Sequence, residues 1–271
     1  MEKPSPGEQV RFKIARLGAY LIAGILLLLW LGLTPAGLLG KADAIGYAVC
    51  HRIDLRSFHI GERPLPLCAR CSGMYLGAVL GLIFLVVRGR RAGMPPKKIL
   101  LVLGVMVVVF VVDGLNSFLS LFPGFPSLYT PSNTIRLITG TWMGLVIAAV
   151  LMPAFNETAW QDRDPRPAIG NFRSLGLLIA LGFLLDLVIL TEVPIVLFPL
   201  ALISAAGVLI LLTMIYSIMW LMIFKHENRY YRMKEMYFSI LAGFTVALFQ
   251  IALMDLGRYL LTGTWEGFHF G

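Results

Sequence analysis

The sequence predicts an all-α integral membrane protein, a bundle of about seven transmembrane helices with a cytoplasmic N-terminus and an extracytoplasmic C-terminus. Three observations carry that prediction. Hydrophobic residues make up 58% of the 271 positions and charged residues 14%, a balance too apolar for a soluble domain. The apolar residues gather in seven runs near the length that crosses about 30 Å of hydrocarbon as a helix. Strand-sized alternating segments, the mark of a membrane-spanning barrel, are absent from the pattern.

The first run, 16–34, follows Arg11, Lys13 and Arg16 and precedes Ala42-Asp43-Ala44, a combination that raises a secretory signal peptide. It exceeds the usual apolar core of such peptides, about 7 to 15 residues, and reads instead as the first span. Residues 35–72 then form the longest connection, an expected extracytoplasmic loop in a single membrane domain covering 1–271. Six more runs follow at 73–88, 99–121, 135–154, 174–190, 196–224 and 236–261, with Pro194 and Pro199 blurring the start of the sixth span. Gly73, Gly77 and Gly81 line one face of the second span, and Gly140 and Gly144 one face of the fourth. Small residues at this spacing let two helix backbones approach closely. Both helices begin on the same side, so their pairing would bring their N-termini together.

Basic residues set the orientation. One side receives Lys3, Arg11, Lys13, Arg16, Arg88, Arg90, Arg91, Lys97, Lys98, Arg163, Arg166, Arg173, Lys225, Arg229, Arg232 and Lys234. The other holds Lys41, Arg52, Arg56, Arg63, Arg70, Arg136 and Arg258. The richer side is assigned to the cytoplasm, where anionic lipids account for the net charge of +8 without any nucleic acid. Trp30, Trp142 and Trp265 on one side, and Trp160 and Trp220 on the other, read as interfacial anchors.

Polar residues within the spans cluster toward the outer side: Asp113 and Asn116 in the third, Arg136 opening the fourth, Asp186 in the fifth, Asp255 and Arg258 in the seventh. Ionisable groups at such depth normally face protein or a wet cavity and pair with one another, so an outward-opening polar pocket is expected. Asp255 and Arg258, one turn apart, could instead be an ion pair that sets helix register. Asp113, Asn116 and Ser117 share one helical face. Arg136 opposes the dipole of the helix it opens, and calls for a carboxylate or an anionic ligand nearby.

The chemistry concentrates in the first loop. All three cysteines, Cys50, Cys68 and Cys71, fall there together with His51 and His59, although cysteine is ordinarily a small hydrophobe found anywhere in a core. The Cys-x-x-Cys spacing lets two sulfurs converge on one ion, and Cys50 with a histidine would complete a three-sulfur, one-nitrogen set suited to zinc. His51 is the chosen nitrogen, on condition of a local turn, with His59 the alternative. An outward Cys-x-x-Cys could equally cycle between dithiol and disulfide, because Cys71 lies at a helix N-terminus beside Arg70, where a thiolate is favoured. A structural disulfide with one spare thiol is the third possibility. Arg52, Arg56, Arg63 and Arg70, with the two helix N-termini, form a setting for phosphate or carboxylate, or for lipid headgroups. The C-terminal Phe268-His269-Phe270 is expected to rest at the interface.

Cys50-His51-Arg52, Arg56-Ser57-Phe58 and Pro66-Leu67-Cys68-Ala69-Arg70-Cys71-Ser72-Gly73-Met74-Tyr75, followed by Gly77, together resemble the family of predicted membrane proteins called Domain of Unknown Function 2085. Asp113, the run Asn133-Thr134-Ile135-Arg136-Leu137-Ile138-Thr139-Gly140, and Gly144 resemble its second block. The likeness covers about residues 45 to 145 and ties the first loop and the start of the fourth span to one location. It implies no activity.

The functional expectation is an extracytoplasmic metal site, Cys50, His51, Cys68 and Cys71 with zinc, over a polar pocket that binds or processes an anionic lipid or similar amphiphile in a prokaryotic plasma membrane. Arg52, Arg56, Arg70, Asn116 and Asn133 are the expected substrate-binding residues. If the metal keeps an open position, a metal-dependent hydrolase or transferase follows, with Asp113 as base and Arg136 holding the anion. If four protein ligands close it, the metal is structural and the protein a binder or carrier. The alternatives are a membrane thiol-disulfide oxidoreductase using Cys68 and Cys71, and a transporter, for which no convincing internal repeat is found.

Overall fold

A computed structural model describes the backbone of residues 6–122, 124 and 127–268, and the side chains from residue 17 onward. Eight helices are described: α1 Pro6–Leu33, α2 Gly37–Val49, α3 Ala69–Val86, α4 Lys97–Leu119, α5 Asn133–Ala159, α6 Phe172–Leu190, α7 Pro194–Ile223 and α8 Tyr237–Thr262. Six are long and apolar enough to cross a membrane, and α1 with α2, bent by 106° at their junction, can count as a seventh span. The chain is thus an all-α membrane protein. Of the tail residues used for orientation, Lys3 lies outside the described residues, and so do the side chains of Arg11, Lys13 and Arg16.

The long first loop is largely helical, which the sequence reading did not anticipate. Thr34-Pro35-Ala36 breaks α1, Gly37 follows at φ +80°, and α2 packs against α7 and α8. At 13 residues, with Lys41 and Asp43 inside it, α2 is too short and too polar to register as a span. Beyond it, β1 His59–Ile60 and β2 Arg63–Pro64 form a small antiparallel hairpin ahead of α3. On the opposite end of the bundle, β3 Arg91–Gly93 pairs in parallel with β4 Asp164–Pro167.

Two helices form the spine. α3 and α5 run side by side in parallel, and their glycines allow it as expected: Gly140 rests on the carbonyl of Arg70, Gly144 on that of Met74, Gly73 on that of Leu137 and Gly77 on that of Thr141. A Cβ at any of them would collide with backbone, which cannot give way. The α3–α5 contact sets the start of α3, and with it Cys71 and Arg70, directly beside the start of α5. Pro194 opens α7 at its first position, and Pro199 falls within its early turns, so neither interrupts the span.

Candidate metal centre and arginine cluster

Three sulfurs converge at the end of the bundle where α3 begins. Cys50, Cys68 and Cys71 place their Sγ atoms within 4.8 Å of one another, and all are free thiols. Cys50 caps the C-terminus of α2, its N–H donating to Gly46 O at 2.8 Å. Cys68 caps α3 and Cys71 occupies its first turn, a placement that turns both side chains toward Cys50. The amides of Arg52 and Cys68 donate to Cys50 Sγ at 3.5 and 3.4 Å. Hydrogen bonds to a charged form stabilise it. The Cys68 and Cys71 thiols also donate to Cys50 and hold it well below the usual thiol pKa. Cys68, as a donor, is pushed up to about 12. Ile45, Leu67, Val208 and Leu248 surround the cluster, leaving Cys50 6% and Cys68 2% exposed.

His51 does not join the sulfurs, and the expected nitrogen ligand is corrected accordingly. Arg52 adopts a left-handed backbone at φ +52°, closing a turn in which His51 Nδ1 accepts the Ile53 N–H at 3.0 Å. Adjacent side chains diverge along the chain, and the turn spends Nδ1 on backbone. Burial lowers the His51 pKa despite attraction from Cys50. His59 instead pairs with Asp54 at 3.0 Å. Among the described residues, the convergent donor set is therefore three sulfurs. Three soft donors, free and close, could hold a metal ion.

Beside the thiols, Arg56, Arg70 and Arg136 gather around the last turns of α4. Arg70 binds Asp113 through Nε and Nη2 to Oδ2, at 3.1 and 2.5 Å, and donates to Ser117 Oγ at 2.9 Å. Tyr129 O–H donates to Asp113 Oδ1 at 2.6 Å and Thr139 Oγ1 to Oδ2 at 3.0 Å. Arg56 donates to the Ser117 carbonyl at 2.7 Å. Arg136 donates to Ser117 Oγ at 3.3 Å and Asn133 Oδ1 at 2.8 Å. Arg56 and Arg136 are 8% and 7% exposed, yet among the described residues neither has a carboxylate in ion-pair range. Burial and the neighbouring Arg70 guanidinium lower the Arg56 pKa. Partial negative charge at the C-terminus of α4 offsets some of this. One carboxylate, already paired with Arg70, stands among three guanidiniums, and a crevice lined by Val108, Val112, Asp113, Tyr129 and Thr139 opens beside them.

The remaining expected residues have structural partners. Arg52 pairs with Asp43 at 2.9 Å and Arg63 binds the same carboxylate. Asn116 fixes the α4–α5 loop, accepting from Leu128 N at 2.8 Å and donating to Tyr129 O at 3.0 Å. Asn133 spans to Leu55 O at 3.3 Å and Ser57 O at 3.4 Å, joining α5 to the first loop. Asp186 accepts from Thr141 Oγ1 at 2.5 Å, away from the arginines.

Asp255 and Arg258 do not form a register pair. Asp255 accepts from Trp30 Nε1 at 3.0 Å, which makes Trp30 a buried partner and not an interfacial anchor. Arg258 donates to the carbonyls of Tyr47 and Cys50, both at 2.7 Å, filling the role of a cation at the C-terminus of α2. The chain after α8 folds back over the same place. Trp265 O accepts from Arg52 at 3.0 Å and Phe268 N donates to His51 O at 3.0 Å. The Arg258 guanidinium lies over the rings of Tyr47 and Phe268, at 4.0 and 4.2 Å from their centroids. Phe268 thus lies over the thiol end with its ring still partly exposed; His269 and Phe270 lie outside the described residues. Ser117 is placed on the Asp113 face by its spacing, whereas the roles of Tyr129 and Thr139 escape the sequence reading because an isolated hydroxyl carries no spacing signal, and α2 hides the roles of Tyr47 and Asp43.

Among known proteins, the model of the family described as Predicted membrane protein (DUF2085) matches residues 50–150. An uncharacterized protein of Methanocaldococcus jannaschii is 28% identical over 119 residues, which are 44% of this chain and 70% of the relative. No solved structure matches. The matched segment begins at Cys50 and runs past Gly144, so it contains all three thiols, Arg56, Arg70, Asp113 and Arg136. Residues 50–150, the part of this polytopic membrane protein that builds both the sulfur cluster and the arginine network, are thus the part that resembles the DUF2085 family.

Proposed function

We propose that this protein is a metal-thiolate binder of a prokaryotic plasma membrane, in which Cys50, Cys68 and Cys71 hold a zinc ion beside an arginine site for the head of an anionic lipid or similar amphiphile. The convergence of three free sulfurs, two buried and Cys71 partly buried, carries the reading. Zinc bound by three thiolates keeps a fourth position for water or a ligand atom, and would act there as a Lewis acid. Arg56 and Arg136, buried without a carboxylate in ion-pair range among the described residues, supply the charge that receives the anion. The apolar crevice between α4 and α5 would take the chain. Asp113 serves as a positioning residue: both its oxygens already accept hydrogen bonds, which disfavours proton abstraction and favours binding over catalysis.

The excess of basic residues on the loops opposite the thiols, sixteen of 23 Lys and Arg, supports placing the thiols outside. Metal analysis and thiol titration of the full chain, purified with reductant, test the proposal. One zinc per chain with no reactive thiol is expected, with zinc lost in Cys68→Ser. Zinc-free protein with all thiols titratable, or with a disulfide, would overturn it. Thiol-disulfide exchange by Cys68 and Cys71 is the second reading, favoured by their position at the N-terminus of α3. The same titration separates the two, because only exchange requires a reducible Cys68–Cys71 bond.

A further inference from the structure

A second cavity lies at the other end of the bundle. It measures about 1200 Å³ and is walled by α3, α5, α7 and α8, with Val79, Ile83, Ala206, Leu209, Ile240 and Phe244 on its surface. Helical interiors pack without voids much larger than a water molecule, and sites for drug-sized ligands occupy about 300–1,000 Å³. A space of this size is a built groove and not a packing fault. Its rim residues Ile83 and Ile210 are exposed, so hydrocarbon is the medium that reaches it.

One end of the groove is polar and cationic. Gly89, Arg90 and Trp160 close it, where α3 leaves the membrane. The Arg90 guanidinium lies over the Trp160 ring at 3.9 Å and pairs with Asp162. Trp160 Nε1 donates to Asn156 Oδ1 at 3.1 Å, and Asn156 Nδ2 to Arg91 O at 2.9 Å, which ties Arg91 to the groove wall. Arg91 Nε is buried and meets no acceptor among the described residues. Arg88 stands beside it over Phe84 at 4.0 Å. Arg90 at the mouth of an apolar groove, with Arg88 and Arg91 beside it and the carboxylates of Asp162 and Asp164 already paired with Arg90 and Arg166, describes the two ends of one ligand.

We infer that this groove holds the hydrocarbon chains of one anionic phospholipid, with its phosphate received by Arg88, Arg90 and Arg91. The site uses none of the thiols and none of the arginines at their end, and is independent of the proposed metal function. Chain volume selects for hydrocarbon, and the arginines select the charge of the head.

Native mass spectrometry of the delipidated full chain, titrated with phosphatidylglycerol or phosphatidylcholine of matched chains, reads the site. The Arg56→Gln background keeps lipid at the thiol end from being counted. One phosphatidylglycerol should bind about tenfold more tightly than phosphatidylcholine. Ala206→Trp, whose side chain would point into the groove, should abolish that binding. Arg88→Gln with Arg91→Gln should remove the preference between heads and leave chain binding. Equal binding of the two lipids by the parent, or unchanged phosphatidylglycerol binding in Ala206→Trp, would overturn the inference and leave ordinary boundary lipid. If Ala206→Trp fails to fold, Ile83→Trp on the exposed rim takes its place, with the same loss expected and the same unchanged binding counting against the site.

Discussion

Replacing Asp113 with Asn separates the two roles that a carboxylate at this position can have. Its side chain is 2% exposed and that of Arg70 is 15% exposed, so the pair is largely desolvated. Removing one partner of a buried pair costs about 3–5 kcal/mol because the other charge is stranded. Arg70 keeps Ser117 Oγ at 2.9 Å and the Asp113 carbonyl at 3.1 Å, which places the expected loss near the lower bound, about 3 kcal/mol. That corresponds to about a hundredfold shift in the folding equilibrium. Asn cannot accept from Tyr129, Thr139 and Arg70 together, and Arg56, Arg70 and Arg136 are left with no carboxylate among them. The assay is equilibrium unfolding of the purified chain in mixed micelles. It is run on Asp113→Asn, Arg70→Met and the double variant, where neighbours in one network should show coupling of at least about 0.5 kcal/mol. A loss below about 1 kcal/mol, the range of an ordinary neutral hydrogen bond, would refute the positioning role and leave Asp113 available for proton transfer.

Four further outcomes follow from the same geometry. Gly140→Val puts a branched side chain against the Arg70 carbonyl and should cost about 1–3 kcal/mol by thermal unfolding, with loss of bound zinc because Cys71 moves with Arg70; unchanged stability would refute the close α3–α5 contact. Arg258→Met strands the carbonyls of Tyr47 and Cys50, at about 1–3 kcal/mol for buried groups left unsatisfied, and should speed alkylation of Cys50 in metal-free protein, measured by mass spectrometry. Tyr129 has its pKa pushed up to about 12, by burial and by its bond to Asp113. A raised folded pKa contributes stability that is fully present below the unfolded value of about 10 and lost as pH rises toward 12. Tyr129→Phe should remove that part of the alkaline loss, followed by unfolding between those limits, and an identical pH profile in parent and variant would refute it. Reporter fusions should show an enzyme active only outside the cell working at the C-terminus and failing in the 160–171 loop; the reverse pattern would invert the orientation.

The membrane-crossing helices were legible in the chain because hydrocarbon imposes a one-dimensional requirement. A helix must stay apolar for about 20 residues to cross, and composition along the sequence reports this without any partner. Run lengths therefore located the six helices long enough to cross to within about five residues, though not the bend that joins α1 to α2, and the stutter of Gly73, Gly77, Gly81 with Gly140 and Gly144 announced the α3–α5 pair, since close approach demands small residues whatever surrounds them. Clustering of the only three cysteines likewise marked the thiol site before any coordinate was known.

Convergence was decided by the tertiary structure. Whether His51 or a backbone amide meets Cys50 depends on the +52° turn at Arg52, a local conformation that no residue spacing encodes. Whether Arg258 meets Asp255 or the end of α2 depends on a 13-residue helix too short for the hydrocarbon rule to detect. The hydroxyls around Asp113 come from two helices and a loop, and they are assembled only by packing. Length and polarity are properties of single segments and can be read singly; the partner of a buried charge is a property of the whole arrangement, because it is the nearest group that three-dimensional packing leaves in reach.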